Sequence, residues 1–451
     1  MFRKSGVILA TVALVQFMVS LDLSVVNVGL PRIAAGLGFS TLGLTWVIHA
    51  YALTFGGLLL LGGKAADRYG RKRLLLIGLA VFAAASLAGG FAQQPGQLVA
   101  ARAAQGIGAA ALAPAALALL SAAFPGGRPR VRAFGVWAAV NAAGGALGVL
   151  IGGLLTEYAG WRWVMFVSVP MALAALAMAS RVDDVPPNPG RDPDVAGALL
   201  ATSGMLLLVY GIVRTEIWPL IVAVALLAGF VAVQRRTTRD PLIRFGLLAN
   251  RSVAGANLFN LLAGAAMASA FYFASLYLQQ VLGHGPALTG VMFLPFALAV
   301  VAGAVAAVRL GYRLPGRALL IAGGLVTAAG FALFGRIGVD GSFAADVLAP
   351  SVIAGFGFGF CLGPVVSIAT AGVADHESGT ASGLLNSSRQ VGAALGLAVL
   401  GTVADRHPGA GGYALGLTLC AVLMGAAVLI AVTVLPRRVA GAGDPQPAAH
   451  R

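Results

Sequence analysis

Asp22 is the one acidic residue that falls well inside an apolar run of this chain; the other acids sit in loops, tails or the ends of such runs. A carboxylate at that depth in a bilayer costs about 2.5–3.5 kcal/mol on insertion scales, so it faces a cavity or a partner and marks function. Burial strengthens its hold on a proton and a neighbouring cation weakens it, which suits a proton carrier; a fixed ion pair is the alternative reading. Two cations also lie within apolar runs, Arg102 and Arg389. At about 1.5 Å of rise per residue, Asp22 lies ~24 Å from residue 6 and Arg102 ~8 Å from residue 97, where a helix enters from the opposite side. The two therefore share a depth. Gln105, three residues after Arg102 on the same face, is placed to bridge them. Arg389 lies ~14 Å into its own run with Asn386 at i−3, a pairing suited to substrate contact or gating. His49, between Trp46 and Tyr51, reads equally as a satisfied core imidazole, a proton-transfer group or a substrate contact. Gly62-Gly63-Lys64-Ala65 lacks the upstream glycine and the Ser/Thr of a phosphate-binding loop, and neither a zinc motif nor a nucleophile elbow is present. No cofactor and no metal are expected, and any pumping would draw on an ion gradient.

The elements that hold these residues follow from composition. Of 451 residues 59% are hydrophobic and 10% charged, and the mean hydropathy is +0.91; soluble domains carry roughly 25% charge. Formal charge is +15, yet the basic residues sit in short loops between apolar runs, which excludes a nucleic-acid surface. Cys361 and Cys420 both lie in apolar segments, so neither a disulfide framework nor a cysteine metal site is supported. A span needs about 20 mostly apolar residues, and fourteen runs qualify: 6–30, 44–63, 74–93, 97–123, 133–156, 163–180, 195–213, 217–234, 253–280, 287–308, 317–335, 347–373, 380–404 and 412–435. The first is too long for a signal peptide. With a cytoplasmic N-terminus, only Arg32, Arg162, Arg214, Arg336 and Arg406 fall outside, and Arg102 and Arg389 within spans. The remaining basic residues are cytoplasmic, as charge bias demands. Both termini are therefore expected inside a multi-pass protein.

Asp67 through Arg73 between spans two and three is echoed by Arg309 through Arg317 between spans ten and eleven. Two six-helix halves separated by an insertion of spans seven and eight would give this echo, as would two ordinary basic loops. The corresponding divisions are 1–180, 181–252 with the two linker helices, 253–435, and a tail at 436–451. In span five Gly144, Gly148 and Gly152 recur at i+4, with Gly153 beside them, a face that lets helix backbones approach closely. Phe271, Tyr272, Phe273 and Tyr277 with Phe293 and Phe296 are candidates for an apolar cavity, for core or for the lipid face.

These residues resemble the major facilitator superfamily, in particular its fourteen-span drug:proton antiporter family, over nearly the whole chain. Leu21 through Pro31, including Asp22 and Asn27, resembles that family's first-helix motif; Trp46 and Tyr51 fit its second-helix signature. Gly63 through Arg73, with Asp67, Arg68, Gly70 and Arg71, is similar to the superfamily's loop motif, with Ala65 in place of the usual leucine. Arg102, Gln105, Gly106 and Gly108 match the fourth-helix motif, Gly160 through Phe166 and Pro170 the start of span six, and Gly379 through Gly392 the span-thirteen signature.

The resemblance implies alternating access between two six-helix halves, with Asp22 as proton site, Arg102 assisting its turnover, and Gly63, Asp67, Arg68, Gly70 and Arg71 in a cytoplasmic gate. Asn27, Trp46, His49, Tyr51, Asn386 and Arg389 become candidates for the substrate cavity. Proton influx would drive efflux of a hydrophobic or amphiphilic small molecule by a monomer in a bacterial cytoplasmic membrane, its partners being substrate, protons and lipid bilayer. Two departures stand out: Val149 replaces the proline of the span-five antiporter motif, removing a kink, and His49 stands where a small polar residue is common. A proton symporter for metabolite uptake and a membrane-embedded lipid enzyme are the competing readings, although no catalytic cluster at an interface supports the second.

Overall fold

The computed structural model describes residues 2–124, 127–182, 193–236, 241–243, 245–371, 373, 378–407 and 409–436. The expected tail at 436–451, apart from its first residue, and the basic positions Arg191, Arg239, Arg244, Arg437, Arg438 and Arg451 lie outside the described residues. Within them the regular elements are helical. Fourteen long ones follow in order: α1 (Phe2–Leu37), α2 (Trp46–Tyr69), α3 (Arg71–Gly90), α4 (Pro95–Ala123), α5 (Gly127–Tyr158), α6 (Arg162–Ala179), α7 (Val195–Arg214), α8 (Ile217–Arg236), α9 (Arg251–Val281), α10 (Pro286–Leu310), α11 (Gly316–Phe334), α12 (Phe343–Thr370), α13 (Ser378–Asp405) and α14 (Ala410–Thr433). Thirteen of the described helices are long and apolar enough to cross a membrane. The remaining one, α13, holds the expected run 380–404; its 28 residues are ample in length, but Asn386 through Gln390 are five polar residues in succession.

Local chemistry places the breaks. Gly70, at φ 103°, turns the chain from α2 into α3, a backbone region that side chains other than glycine avoid. Asp194 caps α7, its carboxylate accepting from the Gly197 amide at 3.0 Å. Gln234 of α8 donates to the same carboxylate at 2.5 Å and accepts from the Ile243 amide, tying the α7–α8 hairpin to the segment that leads into α9. π-helical turns open α12 at Phe343–Leu348 and close α9 at Tyr277–Val281.

Packing repeats along the chain. In the first group α1 lies on α5, α2 and α3 on α4, and α6 on α1 and α3; in the second α9 lies on α13, α10 and α11 on α12, and α14 on α9 and α11. The groups meet where α2 packs on α13 and α5 on the start of α10, with α7 and α8 paired beside α2 and α13. Close approach rests on the α5 glycines. A Cβ would meet Phe17 O at 2.8 Å from Gly144, Leu21 O at 2.9 Å from Gly148 and Val25 O at 2.5 Å from Gly152, so α1 lies directly against the α5 backbone. Gly153 faces away from α1 and receives the Pro286 carbonyl of α10.

Candidate functional site

Four helices of the first group converge on one buried network. Asp22 of α1 is 0% exposed and Arg102 of α4 is 2% exposed. Arg102 Nη1 donates to Asp22 Oδ2 at 2.6 Å and to Gln105 Oε1 at 2.8 Å. Gln105 Nε2 donates to Asp22 Oδ1 at 3.2 Å and to Ser86 Oγ of α3 at 2.7 Å. Arg102 Nε donates to the Val47 carbonyl of α2 at 3.0 Å, and its guanidinium lies 4.4 Å from the Tyr51 ring centroid. Both carboxylate oxygens and both Gln105 donors are thus engaged, as a buried charge pair requires. The α2–α4 contact that permits this is glycine-dependent: a Cβ on Gly106 would stand 2.6 Å from the Tyr51 carbonyl. The arrangement holds a carboxylate of α1 and a guanidinium of α4 in direct contact away from solvent, so the α1–α4 contact depends on charge as well as on shape. Shared depth on neighbouring helices made Asp22, Arg102 and Gln105 readable from the sequence. Ser86, a lone hydroxyl in an alanine-rich helix, carried no signal, nor did the Val47 carbonyl.

The other expected cavity residues separate into two kinds. Ser382, Asn386, Arg389 and Ala393 recur at i, i+4, i+7 and i+11 on α13 and are all half-buried. They lie beside the face packed on α2, where Ser387 Oγ donates to the Gly56 carbonyl at 2.5 Å, and border the face packed on α9, where Asn260 Nδ2 donates to the Leu385 carbonyl at 2.6 Å and the Arg389 stem lies against Gly264. Arg389 Nη2 donates to Asn386 Oδ1 at 3.2 Å. Half-buried Asn27 and Gln16 lie on one face of α1; Gln16 Nε2 and Ser20 Oγ both donate to Asn141 Oδ1 of α5, at 2.7 and 2.6 Å. This second polar group was not anticipated. His49 and Tyr51 differ from the expectation of cavity lining: both are 0% exposed, because their faces of α2 are covered by neighbouring helices. Trp46 is half-buried, 5.8 Å from the His49 ring edge-on and 6.1 Å from Tyr210 of α7. Of the aromatics, Phe271, Phe293 and Phe296 line a shallow apolar recess with Met267 and Met292, whereas Tyr272, Phe273 and Tyr277 are core.

The two ends of the bundle are tied differently. At the end carrying residues 38–45, bonds cross between the groups: Glu157 Oε2 of α5 accepts from the Ala287 amide in the first turn of α10 at 2.7 Å, Ser275 Oγ donates to Asn27 O at 3.1 Å, and Gln279 Nε2 donates to Val28 O at 3.0 Å. At the opposite end Asp67 pairs with Arg71 at 3.0 Å, and Arg71 Nη1 also donates to Ala118 O at 3.4 Å, both within the first group. Gly63 lies against Pro114 of α4, Lys72 Nζ donates to Ser180 O, and Arg317 binds the α14 carbonyls of Ala431 and Val432.

Comparison with known proteins adds the following. The sequence profile of the Major Facilitator Superfamily matches residues 12–397. The chain is 43% identical over 408 residues to the puromycin resistance protein pur8 of Streptomyces alboniger, covering 88% of this chain and 81% of that one. It is 40% identical over 422 residues to the cephamycin export protein CmcT of Amycolatopsis lactamdurans, covering 89% and 86%, and 32% identical over 456 residues to the lincomycin resistance protein of Streptomyces lincolnensis, covering 97% and 92%. Among solved structures, an auto-inhibited POT family peptide transporter aligns with TM-score 0.72 at 14% identity over 98% of this chain and 99% of that one. A point mutant of the nucleoside transporter NupG aligns at 0.71 and 11% identity, over 95% and 100%. At such identities the structural matches speak for the fold alone.

Proposed function

The chain belongs to the Major Facilitator Superfamily, and from that premise we propose that it exports small hydrophobic or amphiphilic compounds, antibiotics among them, by exchange for protons. The relatives named for puromycin, cephamycin and lincomycin support the export of antibiotic-like substrates. The buried Asp22–Arg102–Gln105 network carries the proton coupling. In this reading all fourteen helices span the bacterial cytoplasmic membrane with both termini cytoplasmic, α13 included. Its polar stripe is tolerable because it faces the space between the groups rather than lipid. Helices α1–α6 and α9–α14 are two six-helix halves, supported by the repetition of the same packing pairs eight helices apart.

The 38–45 end then faces outward and is closed here, while the gate residues Asp67 and Arg71 sit at the cytoplasmic end. Substrate enters from the cytoplasmic side onto the surface formed by Asn27, Asn386 and Arg389. Protonation of Asp22 neutralises the partner of Arg102 and leaves a buried cation uncompensated, which favours a rearrangement of α1 and α4. Deprotonation toward the cytoplasm restores the pair and resets the carrier. A single group thus holds a proton in one state and an arginine in the other, which lets proton loading and release follow the conformational cycle.

The test uses purified protein in proteoliposomes under an imposed pH gradient, challenged with lipophilic cations and antibiotics. Substrate-triggered proton movement by the wild type, absent in a folded Asp22→Asn protein, is the expected outcome. Undiminished flux in Asp22→Asn removes this residue from the coupling. Flux with metabolites moving alongside the proton would replace export by uptake.

A further inference from the structure

His49 is 0% exposed, and neither ring nitrogen has a hydrogen-bond partner. A buried polar group left unpaired costs on the order of 1–3 kcal/mol, so its retention in an apolar seam calls for an explanation. Its position supplies one. Thr45, four residues earlier on the same face of α2, has its Cγ2 4.0 Å from the Cβ position of Gly401 in α13. Leu53, four residues later, clusters with Ala394 and Ala398 of α13. Gly56, seven residues later, receives Gln390 of the same helix, whose Nε2 is likewise buried and unpartnered. His49 therefore lies in the seam between the two groups of helices, toward the end that the Glu157, Ser275 and Gln279 bonds hold shut.

The charged groups around it are engaged elsewhere or out of reach, and the Tyr51 hydroxyl is itself buried without a partner. On α2, Tyr51 lies under the Arg102 guanidinium, and Arg102 is spent on Asp22, Gln105 and the Val47 carbonyl. On α7, Tyr210 packs on Trp46 with Arg214 5.9 Å from its ring. On α13, Arg389 and Asp405 are each more than a helical turn from the Ala394–Ala398 stretch. Among the described residues no carboxylate is thus placed to neutralise an imidazolium in the closed seam, and the neutral ring is the form the seam accepts.

Building on the alternating-access reading above, we infer that His49 is a second proton-binding site, separate from Asp22, which takes up a proton when the outer end of the α2–α13 seam opens and must lose it for the seam to close. An imidazole in water titrates near pH 6.5, within the range an acidified outer face reaches. If only the open state binds this proton, lowering the pH from about 8 to about 5.5 multiplies the open-to-closed ratio roughly tenfold. The sign is fixed by the state that can accept the charge: acid opens, alkali closes.

Distance measurement tests this without relying on transport, so its failure is distinct from failure of the exporter reading. Spin labels are placed at exposed Gln94 and Val339, one in each group at the same end, by Gln94→Cys and Val339→Cys; Cys361 and Cys420 are buried. The wild type should shift toward longer separations as the pH falls. His49→Gln, which keeps polarity but cannot charge, should lose the component with a midpoint near the imidazole range, and Asp22→Asn should retain it. His49→Arg, a fixed cation, should stay open at pH 8. A His49→Gln protein that opens with the wild-type pH dependence, a wild type with equal separations at both pH values, or a His49→Arg protein that closes normally overturns the proposal.

Discussion

Removing one member of a buried charge pair is a different experiment from removing both. Arg102→Ala takes the charged partner from Asp22, which is 0% exposed and keeps only the 3.2 Å bond from Gln105, and losses of about 3–5 kcal/mol are typical when one partner of a buried pair is removed. Asp22→Asn combined with Arg102→Gln removes the charge and keeps polar groups of similar size. The double variant should therefore melt at a higher temperature than Arg102→Ala alone, measured by thermal unfolding in detergent, although neither should support substrate-driven proton flux. A double variant less stable than the single one would mean that the pair is a net source of stability rather than a functional device. These three residues were readable because ionisable and amide groups inside apolar runs are conspicuous, and helical rise puts them at one depth. Ser86, Asn141 and the Val47 carbonyl were not readable: a serine or asparagine in such a helix most often bonds its own backbone, and a carbonyl has no sequence identity at all. Nor could sequence tell that His49 and Tyr51 are sealed from any cavity, since that depends on which neighbours cover α2.

The same asymmetry between conspicuous and silent features holds for helices. Apolar runs located every long helix, but the interruptions at Tyr277–Val281 and Phe343–Leu348 have no sequence marker comparable to proline or glycine. The α5 glycines were visible by their spacing, yet which helix they admit emerges only from packing. Gly148 and Gly145 give a matched contrast. A Cβ at Gly148 would stand 2.9 Å from both Leu21 O and Ser24 Cβ, whereas one at Gly145 meets nothing nearer than Ser24 Oγ at 3.9 Å. Backbone cannot yield as a side-chain tip can, and overpacking of this kind costs typically 1–3 kcal/mol. Gly148→Ala is expected to push α1 from α5 beside Asp22, lowering both the melting temperature and the efflux rate. Gly145→Ala should match the wild type in both assays, and equal damage from the two would show that close α1–α5 approach is not what the glycines serve.

At the scale of the whole molecule, two basic loops hinted at duplication, but the eightfold offset in packing pairs and the cross-group bonds at one end are properties of three-dimensional arrangement. Those bonds are polar and sit within a larger apolar contact, in which Val26 and Leu30 of α1 share one core with Tyr272 and Tyr277 of α9, so they add to the closure a component that a change of charge can tune. Glu157 is the charged member. Its carboxylate crosses from α5 to the first turn of α10, meeting an amide that the helix itself cannot satisfy and the positive end of the helix dipole. An exposed cap of this type contributes about 1 kcal/mol, which is up to about a fivefold change in a two-state population. Glu157→Gln keeps an acceptor and loses the charge, while Glu157→Ala loses both. The separation between labels at Gln94 and Val339 should therefore lengthen in the order wild type, Glu157→Gln, Glu157→Ala at a fixed pH of about 8, where His49 is neutral in either state. Because the shift comes from closed-state stability alone, substrate binding from the cytoplasmic side should weaken in each variant by the factor by which its closed-state population falls. Unchanged separations with weakened binding would place Glu157 in substrate recognition instead of closure.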